Sequence, residues 1–183
     1  MDPKATIRFS KFLSKHLRHQ PEAIGLHLAP GGWVAVADLL AACAAHRHPL
    51  TRDELEDLVE DNDKQRFAFD GTGERIRAQQ GHSVEVDLQL APATPPAVLY
   101  HGTAPAALPA IRATGLQKMS RHHVHLTTDE ATARRVGQRR GRPLLLAIDA
   151  AGLHAAGGVF YQSGNGVWLI DAVPPQFVRE LAQ

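Results

Sequence analysis

One cysteine, Cys43, is the whole thiol content of the sequence, and it sits among Leu39, Leu40, Ala41 and Ala42. A single thiol closes no intramolecular disulfide and builds no multi-cysteine zinc site, and its apolar neighbours predict a buried structural role. No apolar run reaches the length of a membrane span. Met1 is not followed by the basic, apolar and small-residue segments of a secretory signal, so a cytoplasmic protein without membrane attachment is expected. Net charge is scarce as well. Twenty basic against 19 acidic residues leave +1 with histidine neutral, so any nucleic-acid binding must come from local clusters. A GxGxxG after a strand and a GxxxxGK(S/T) are both missing, which argues against a Rossmann dinucleotide site and a P-loop. There is no GxSxG elbow either. Eleven histidines are present, with His122, His123 and His125 close together, but no acidic or cysteine partner stands at ligand spacing and no metal is expected.

The 183 residues suffice for one domain or two small ones with a real core, and 44% hydrophobic with 21% charged residues is ordinary for a globular chain. Near the N-terminus, Phe9, Phe12, Leu13, His16 and Leu17 fall at helical spacing and leave Lys11, Ser14, Lys15 and Arg18 on the other side. This predicts an amphipathic helix with a basic outer face. Pro21 should stop it near Gln20, with Arg18 and His19 in the last turn, where the macrodipole favours cations. After the turn Pro30-Gly31-Gly32, Trp33 to Val36 reads as a short extended piece leading into a helix that carries Leu39, Leu40 and Cys43. Thr51-Arg52-Asp53-Glu54 is a capping box opening a third helix, which ends near Asn62. Arg66 to Phe69 and Arg75 to Ala78 flank the turn Asp70-Gly71-Thr72-Gly73, a β-hairpin. Three helices and a hairpin match a winged helix, a fold that often docks on nucleic acid. Lys64, Arg66, Arg75 and Arg77 on the wing suit a phosphate backbone and equally suit a solvated hairpin whose charges guard its edges.

Residues 85–97 have the composition of a linker, which divides the chain into a first lobe over 1–84 and a second over 98–183. In the second lobe, Val98-Leu99-Tyr100 is a strand running into His101-Gly102-Thr103, and Ala106 to Thr114 is a helix closed by Gly115. A basic approach, Lys118 to His123, leads into the strand Val124 to Thr127. Asp129 begins a helix with Arg134 and Arg135 in its last turn, followed by a basic loop from Gly137 to Arg142. Leu144 to Ile148 is almost wholly apolar and so predicted to be central. Gly158 to Tyr161, Val167 to Ile170 and Val173 supply more strands around the loop 162–166. The expected class is α+β, with a mixed sheet in the second lobe.

Arginine and histidine stand in isolated, well-spaced places: Arg18-His19, Arg66 and Arg121. An arginine fork matches phosphate oxygens, and a histidine beside several such forks can donate a proton near neutral pH. Each arginine alone also fits a plain surface role.

Taken together, Ser10-Lys11 through Leu17-Arg18-His19 and Pro21, Gly32-Trp33-Val34, Lys64 with Arg66-Phe67, Ile76-Arg77-Ala78 with Gln80-Gly81-His82-Ser83, Leu99 to Thr103, Met119 and Arg121 with His123 to Leu126, Val136-Gly137 with Arg139-Arg140-Gly141, and Ser163 with Asn165-Gly166-Val167 resemble the RNA 2'-phosphotransferase family (KptA type). These motifs run in order over nearly the whole chain. One departure is Gln79, where the family usually has Asn before Gln-Gly-His.

The resemblance implies a winged-helix RNA-binding lobe and a lobe similar to ADP-ribosyltransferases. NAD serves as the acceptor of an internal RNA 2'-phosphate, typically at a tRNA splice junction, without a metal. Arg18, His19, Arg66 and Arg121 are then the catalytic residues around the 2'-phosphate. His101, Gly102, Thr103, His125, Ser163, Asn165 and Gly166 bind NAD, and Lys15, Lys64, Arg139 and Arg140 contact RNA, the last two alternatively the NAD pyrophosphate. A monomer is the simplest expectation. Two competing readings are an ADP-ribosyltransferase that stops with ADP-ribose on phosphorylated nucleic-acid ends, and a non-catalytic winged-helix binding module.

Overall fold

Asp2 starts the first helix: its carboxylate accepts from the N–H groups of Lys4 and Ala5 at 2.8 and 3.0 Å, and Pro3 follows at a position where no donor is needed. This is α1 (Pro3–Arg18) in the computed structural model, which describes residues 1–62, 64–138 and 142–181. Phe9, Leu13, His16 and Leu17 form its buried face. Leu13 and Leu17 are sealed from solvent, each contributing about 2 kcal/mol by burial. His16 turns its Nδ1–H onto the carbonyl of Gln20 at 2.9 Å, which secures the chain just past the helix end. A turn of 3-10 helix, Pro21–Ile24, follows.

The rest of the first half covers that face. Strand β1 (Trp33–Ala35) runs straight into α2 (Val36–Ala45), and α3 (Arg52–Glu60) opens on the expected capping box, with the Thr51 side chain and Glu54 each satisfying the other's backbone N–H. The hairpin is β2 (Phe67–Phe69) and β3 (Arg75–Ala78), and β1 joins it antiparallel, giving the order β1-β3-β2. Leu39, Cys43, Leu55, Leu58, Phe67 and Ile76 close the core against α1. Cys43 is buried as its neighbours predict, and burial pushes its thiol up to about 11.

The chain divides into two compact units, Met1–Gln89 and Leu90–Gln183. Both ends of the stretch 85–97 are tied to the unit on their own side. The Asp87 carbonyl accepts from Gly31 at 2.7 Å, and Ala93 donates to the carbonyl of Phe160 at 2.8 Å.

In the second unit, β4 (Val98–Thr103), β7 (Leu144–Asp149) and β11 (Val178–Glu180) form one sheet with β7 in the centre, where its apolar run predicts it. A second sheet has β9 (Trp168–Ile170) between β6 (Val124–Leu126) and β8 (Tyr161–Gln162). A third pairs β5 (Leu116–Gln117) with β10 (Ala172–Val173). Every strand pairing among the described residues is antiparallel. The expected mixed sheet is thus corrected, since α4 (Leu108–Thr114), α5 (Glu130–Gly137) and α6 (Ala150–Ala155) are short helices and none carries a crossover between parallel neighbours. The strand expected from Gly158 to Tyr161 shrinks to Tyr161 and Gln162, because Gly157 and Gly158 close α6, with the Gly158 N–H on the carbonyl of Leu153 at 2.9 Å. No helix among the described residues is long and apolar enough to cross a membrane.

Candidate functional site

In the first unit Arg18 and His19 stand at the end of α1. His19 is the C-cap, its backbone N–H donating to the Lys15 carbonyl. Residues 79–83 bind that end. The Ser83 N–H donates to the Arg18 carbonyl at 2.9 Å, and the Ser83 hydroxyl meets His19 Nδ1 at 2.8 Å. Two residues earlier the chain turns at Gly81, whose φ of +90° suits glycine. Arg18 lies over this turn, with Nη1 3.7 Å from the place a Cβ on Gly81 would occupy.

The same segment reaches Arg66. The Gln79 N–H donates to the Arg66 carbonyl at 2.9 Å, and the buried Gln79 amide donates to the Gln65 carbonyl at 3.0 Å. Gln65 has a left-handed φ of +41°, so this bond holds a conformation that costs about 1 kcal/mol or more when unsupported. Arg66 Nη1 donates to Asn62 Oδ1 at 3.2 Å, and the same oxygen accepts from the Lys64 backbone N–H at 3.1 Å. One short segment, residues 79–83, is thus hydrogen-bonded to the backbones of Arg18 and Arg66 and to the ring of His19. Gln79, the departure from the family pattern, keeps an amide where the bond to Gln65 needs one. Lys15 is exposed in the last turn of α1, and Lys64 is exposed beside Asn62.

Two hairpin arginines are committed elsewhere. Arg75 pairs with Asp70 at 2.8 Å, holding that carboxyl well below the usual range. Arg77 lies 4.5 Å over the Trp33 ring and donates to the Gly31 carbonyl at 3.2 Å, and its burial lowers its affinity for its proton. Arg75 thus braces the β2–β3 turn, and Arg77 holds β1 against β3.

In the second unit, Tyr100 and Thr127 exchange backbone hydrogen bonds of 2.7 and 3.0 Å, which sets β4 beside β6. This brings His101 to His125, whose carbonyl accepts from His101 Nδ1–H at 3.0 Å. Since a carbonyl can only accept, the neutral ring carries its proton on Nδ1 and turns a lone pair outward on Nε2. Desolvation holds His101 below the ordinary imidazole pKa, outweighing the His125 carbonyl, which favours the proton, and the nearby charge of Arg121 lowers it further. Arg121 is exposed in the turn before β6. Burial also lowers the pKa of His123, which packs 5.7 Å from the Tyr161 ring. In the loop after β8 the Ser163 hydroxyl donates to Asn165 Oδ1 at 2.7 Å, and Gly166 turns with φ +78°.

Gly102 is small for a reason the sequence did not disclose. A Cβ there would stand 1.7 Å from the carbonyl oxygen of Ala133 in α5, so the glycine admits the helix backbone onto β4. Thr103, next to it, completes the strand and pairs with Leu144. Arg139 and Arg140 lie outside the described residues. Among the described residues, no three histidine, cysteine or acidic side chains are grouped to hold a metal. Ser83 and Asn62 carry no assigned role in the sequence reading. Ser83 was visible there only as the end of the Gln80-Gly81-His82-Ser83 motif, and Asn62 only as the end of a helix.

The family model described as RNA 2'-phosphotransferase, Tpt1 / KptA family, matches residues 4–172. A protein of Nostoc punctiforme called a probable RNA 2'-phosphotransferase is 58% identical over 181 residues, covering 99% of this chain and 100% of its own. Relatives with the same description in Streptomyces griseus and Pseudomonas aeruginosa are 58% and 54% identical, covering 97% and 98% of this chain and 98% and 100% of their own. With motifs, family model and near full-length relatives in agreement, the chain belongs to the RNA 2'-phosphotransferase family.

Proposed function

We propose that this protein is an NAD-dependent RNA 2'-phosphotransferase that removes an internal 2'-phosphate by way of an ADP-ribosylated RNA phosphate. The observation that carries the reading is the joining of Arg18, His19 and Arg66 through residues 79–83, in a chain whose relatives over nearly full length are called probable RNA 2'-phosphotransferases. The first unit, with three helices and β1 joined to a two-stranded hairpin, is read as a winged helix on the RNA, and the second as an ADP-ribosyltransferase-like lobe.

In this reading the Arg18 and Arg66 guanidinium groups take phosphate oxygens and orient the dianionic 2'-phosphate; Arg121, in the second unit, is the fourth residue that the family resemblance assigns to catalysis. His19 holds on Nε2 the proton that passes to the RNA 2'-oxygen as its bond to phosphorus breaks. The second unit offers groups fitting a nucleotide ribose: the Nε2 lone pair of neutral His101 as an acceptor, the amide of Asn165, and a loop at Gly166 with nothing within 4 Å of where a Cβ would be. NAD, when bound there, supplies an anomeric carbon that takes the phosphate and a ribose hydroxyl that draws it off the RNA, so nicotinamide, 2'-hydroxyl RNA and ADP-ribose 1'',2''-cyclic phosphate are the products. Lys15 and Lys64 add charge for the RNA backbone.

The test is nicotinamide release from NAD in the presence of a short RNA with one internal 2'-phosphate, beside the same RNA with a 2'-hydroxyl. Release is expected only with the phosphorylated RNA, and the Arg18→Ala variant should be slower by about a hundredfold, or ~3 kcal/mol of transition-state stabilisation. Equal release with both RNAs, or none with either, contradicts the reading.

A further inference from the structure

The hydroxyl of Ser83 stands 2.8 Å from His19 Nδ1, and neither family membership nor the proposed reaction assigns it a task. From this geometry we infer that Ser83 is a positioning residue for His19: it holds the imidazole by Nδ1, sets the plane of the ring, and leaves Nε2 directed away for the proton transfer. The inference rests on the proposed function for its catalytic consequence, though the bond itself does not.

Three observations carry it. Ser83 is not loosely placed, because its own N–H donates to the Arg18 carbonyl at 2.9 Å and Val84 N–H approaches the same oxygen at 3.4 Å. His19 is equally fixed, since its backbone N–H caps α1 through the Lys15 carbonyl. Two anchored backbones thus present two side chains to each other, so little rotamer freedom is lost in making the bond. Next, Ser83 and His19 are both exposed. A hydrogen bond between exposed side chains adds little to stability, which makes a purely architectural purpose a poor account of so short a contact. Finally, the partner is a hydroxyl. It accepts from Nδ1–H and donates to a bare Nδ1, so it stays bonded through both protonation states of the ring. A carboxylate in that place would favour the imidazolium and retard loss of its proton. The bond therefore sets where the ring lies and leaves its protonation free to change at Nε2.

The experiment combines kinetics with imidazole NMR on the full-length protein. Ser83→Ala and Ser83→Thr are compared with the parent protein using 2'-phosphorylated RNA and NAD. The His19 ring nitrogens are followed in protein labelled with 15N-histidine, with His19→Gln identifying the signal. For Ser83→Ala we expect kcat to fall about tenfold with KM for RNA within about twofold, ADP-ribosylated RNA to build up, and the melting temperature to stay put. The His19 Nδ1 shift should move away from its hydrogen-bonded position, and Ser83→Thr, which keeps the hydroxyl, should restore both kcat and shift. Unchanged His19 shifts in Ser83→Ala overturn the inference, as does a loss confined to KM or one that Ser83→Thr fails to repair. Were the parent protein inactive on this RNA, the proposed function would fall while the nitrogen shifts would still decide whether Ser83 holds the ring.

Discussion

His101 illustrates how much a single side chain's surroundings decide. The residue is visible in the sequence as part of Tyr100-His101-Gly102-Thr103, but its state is not. Only the fold sets it against the carbonyl of His125 and strips its water, and both its desolvation and Arg121 disfavour the charged form. His123 shifts in the same direction. Above the ordinary imidazole pKa of 6.5 both folded and unfolded chains hold these rings neutral. Below it the unfolded chain binds protons that the folded chain refuses, so stability declines as pH falls through and below that value. The midpoint of denaturant unfolding should therefore drop between about pH 7 and pH 5, and His101→Gln should lose part of that decline. A slope unaltered in His101→Gln contradicts the assignment. Arg18 and His19 were likewise readable as a cationic helix end, whereas the bond to Ser83 was not, because 64 positions separate the partners.

At the scale of elements, legibility followed the strength of local chemistry. The first helix, the capping box and the hairpin each carry a periodic or capping signal, and each stands where that signal puts it. The short pieces did not. Helix α6 has six residues with a glycine inside, and β11 is a three-residue strand at a sheet edge. Both depend on tertiary partners, α6 on the Asp149 cap at Gly152 and β11 on its pairing with β7, and neither is visible to periodicity. Gly102 is the clearest case of an element-level cause hidden in a functional motif. Its hydrogen side chain lets α5 lie on β4, and Gly137 in α5 helps, since a Cβ there would stand 3.2 Å from the backbone N and O of Thr103. Gly102→Ala is thus expected to destabilise the second unit by about 3 kcal/mol or more, seen as a lower unfolding midpoint with NAD absent. A variant with parental stability and weakened NAD binding would instead assign the glycine to the ligand alone.

For the molecule as a whole, the match to the family over residues 4–172 and the near full-length coverage of its relatives take in both compact units. The division of candidate residues follows: Arg18, His19 and Arg66 belong to the first unit, and His101, Arg121 and the Ser163 loop to the second. The sequence motifs made both groups legible, while their local support required the fold, namely residues 79–83 in one unit and the Tyr100–Thr127 exchange in the other. The central claim is that the phosphate leaves RNA by transfer to a nucleotide. Following a radiolabelled 2'-phosphate on RNA, with and without NAD, measures this most directly. The account predicts label in ADP-ribose 1'',2''-cyclic phosphate, and only when NAD is present. Label appearing as inorganic phosphate irrespective of NAD, or remaining on the RNA while 2'-phosphorylated RNA still binds, would contradict it.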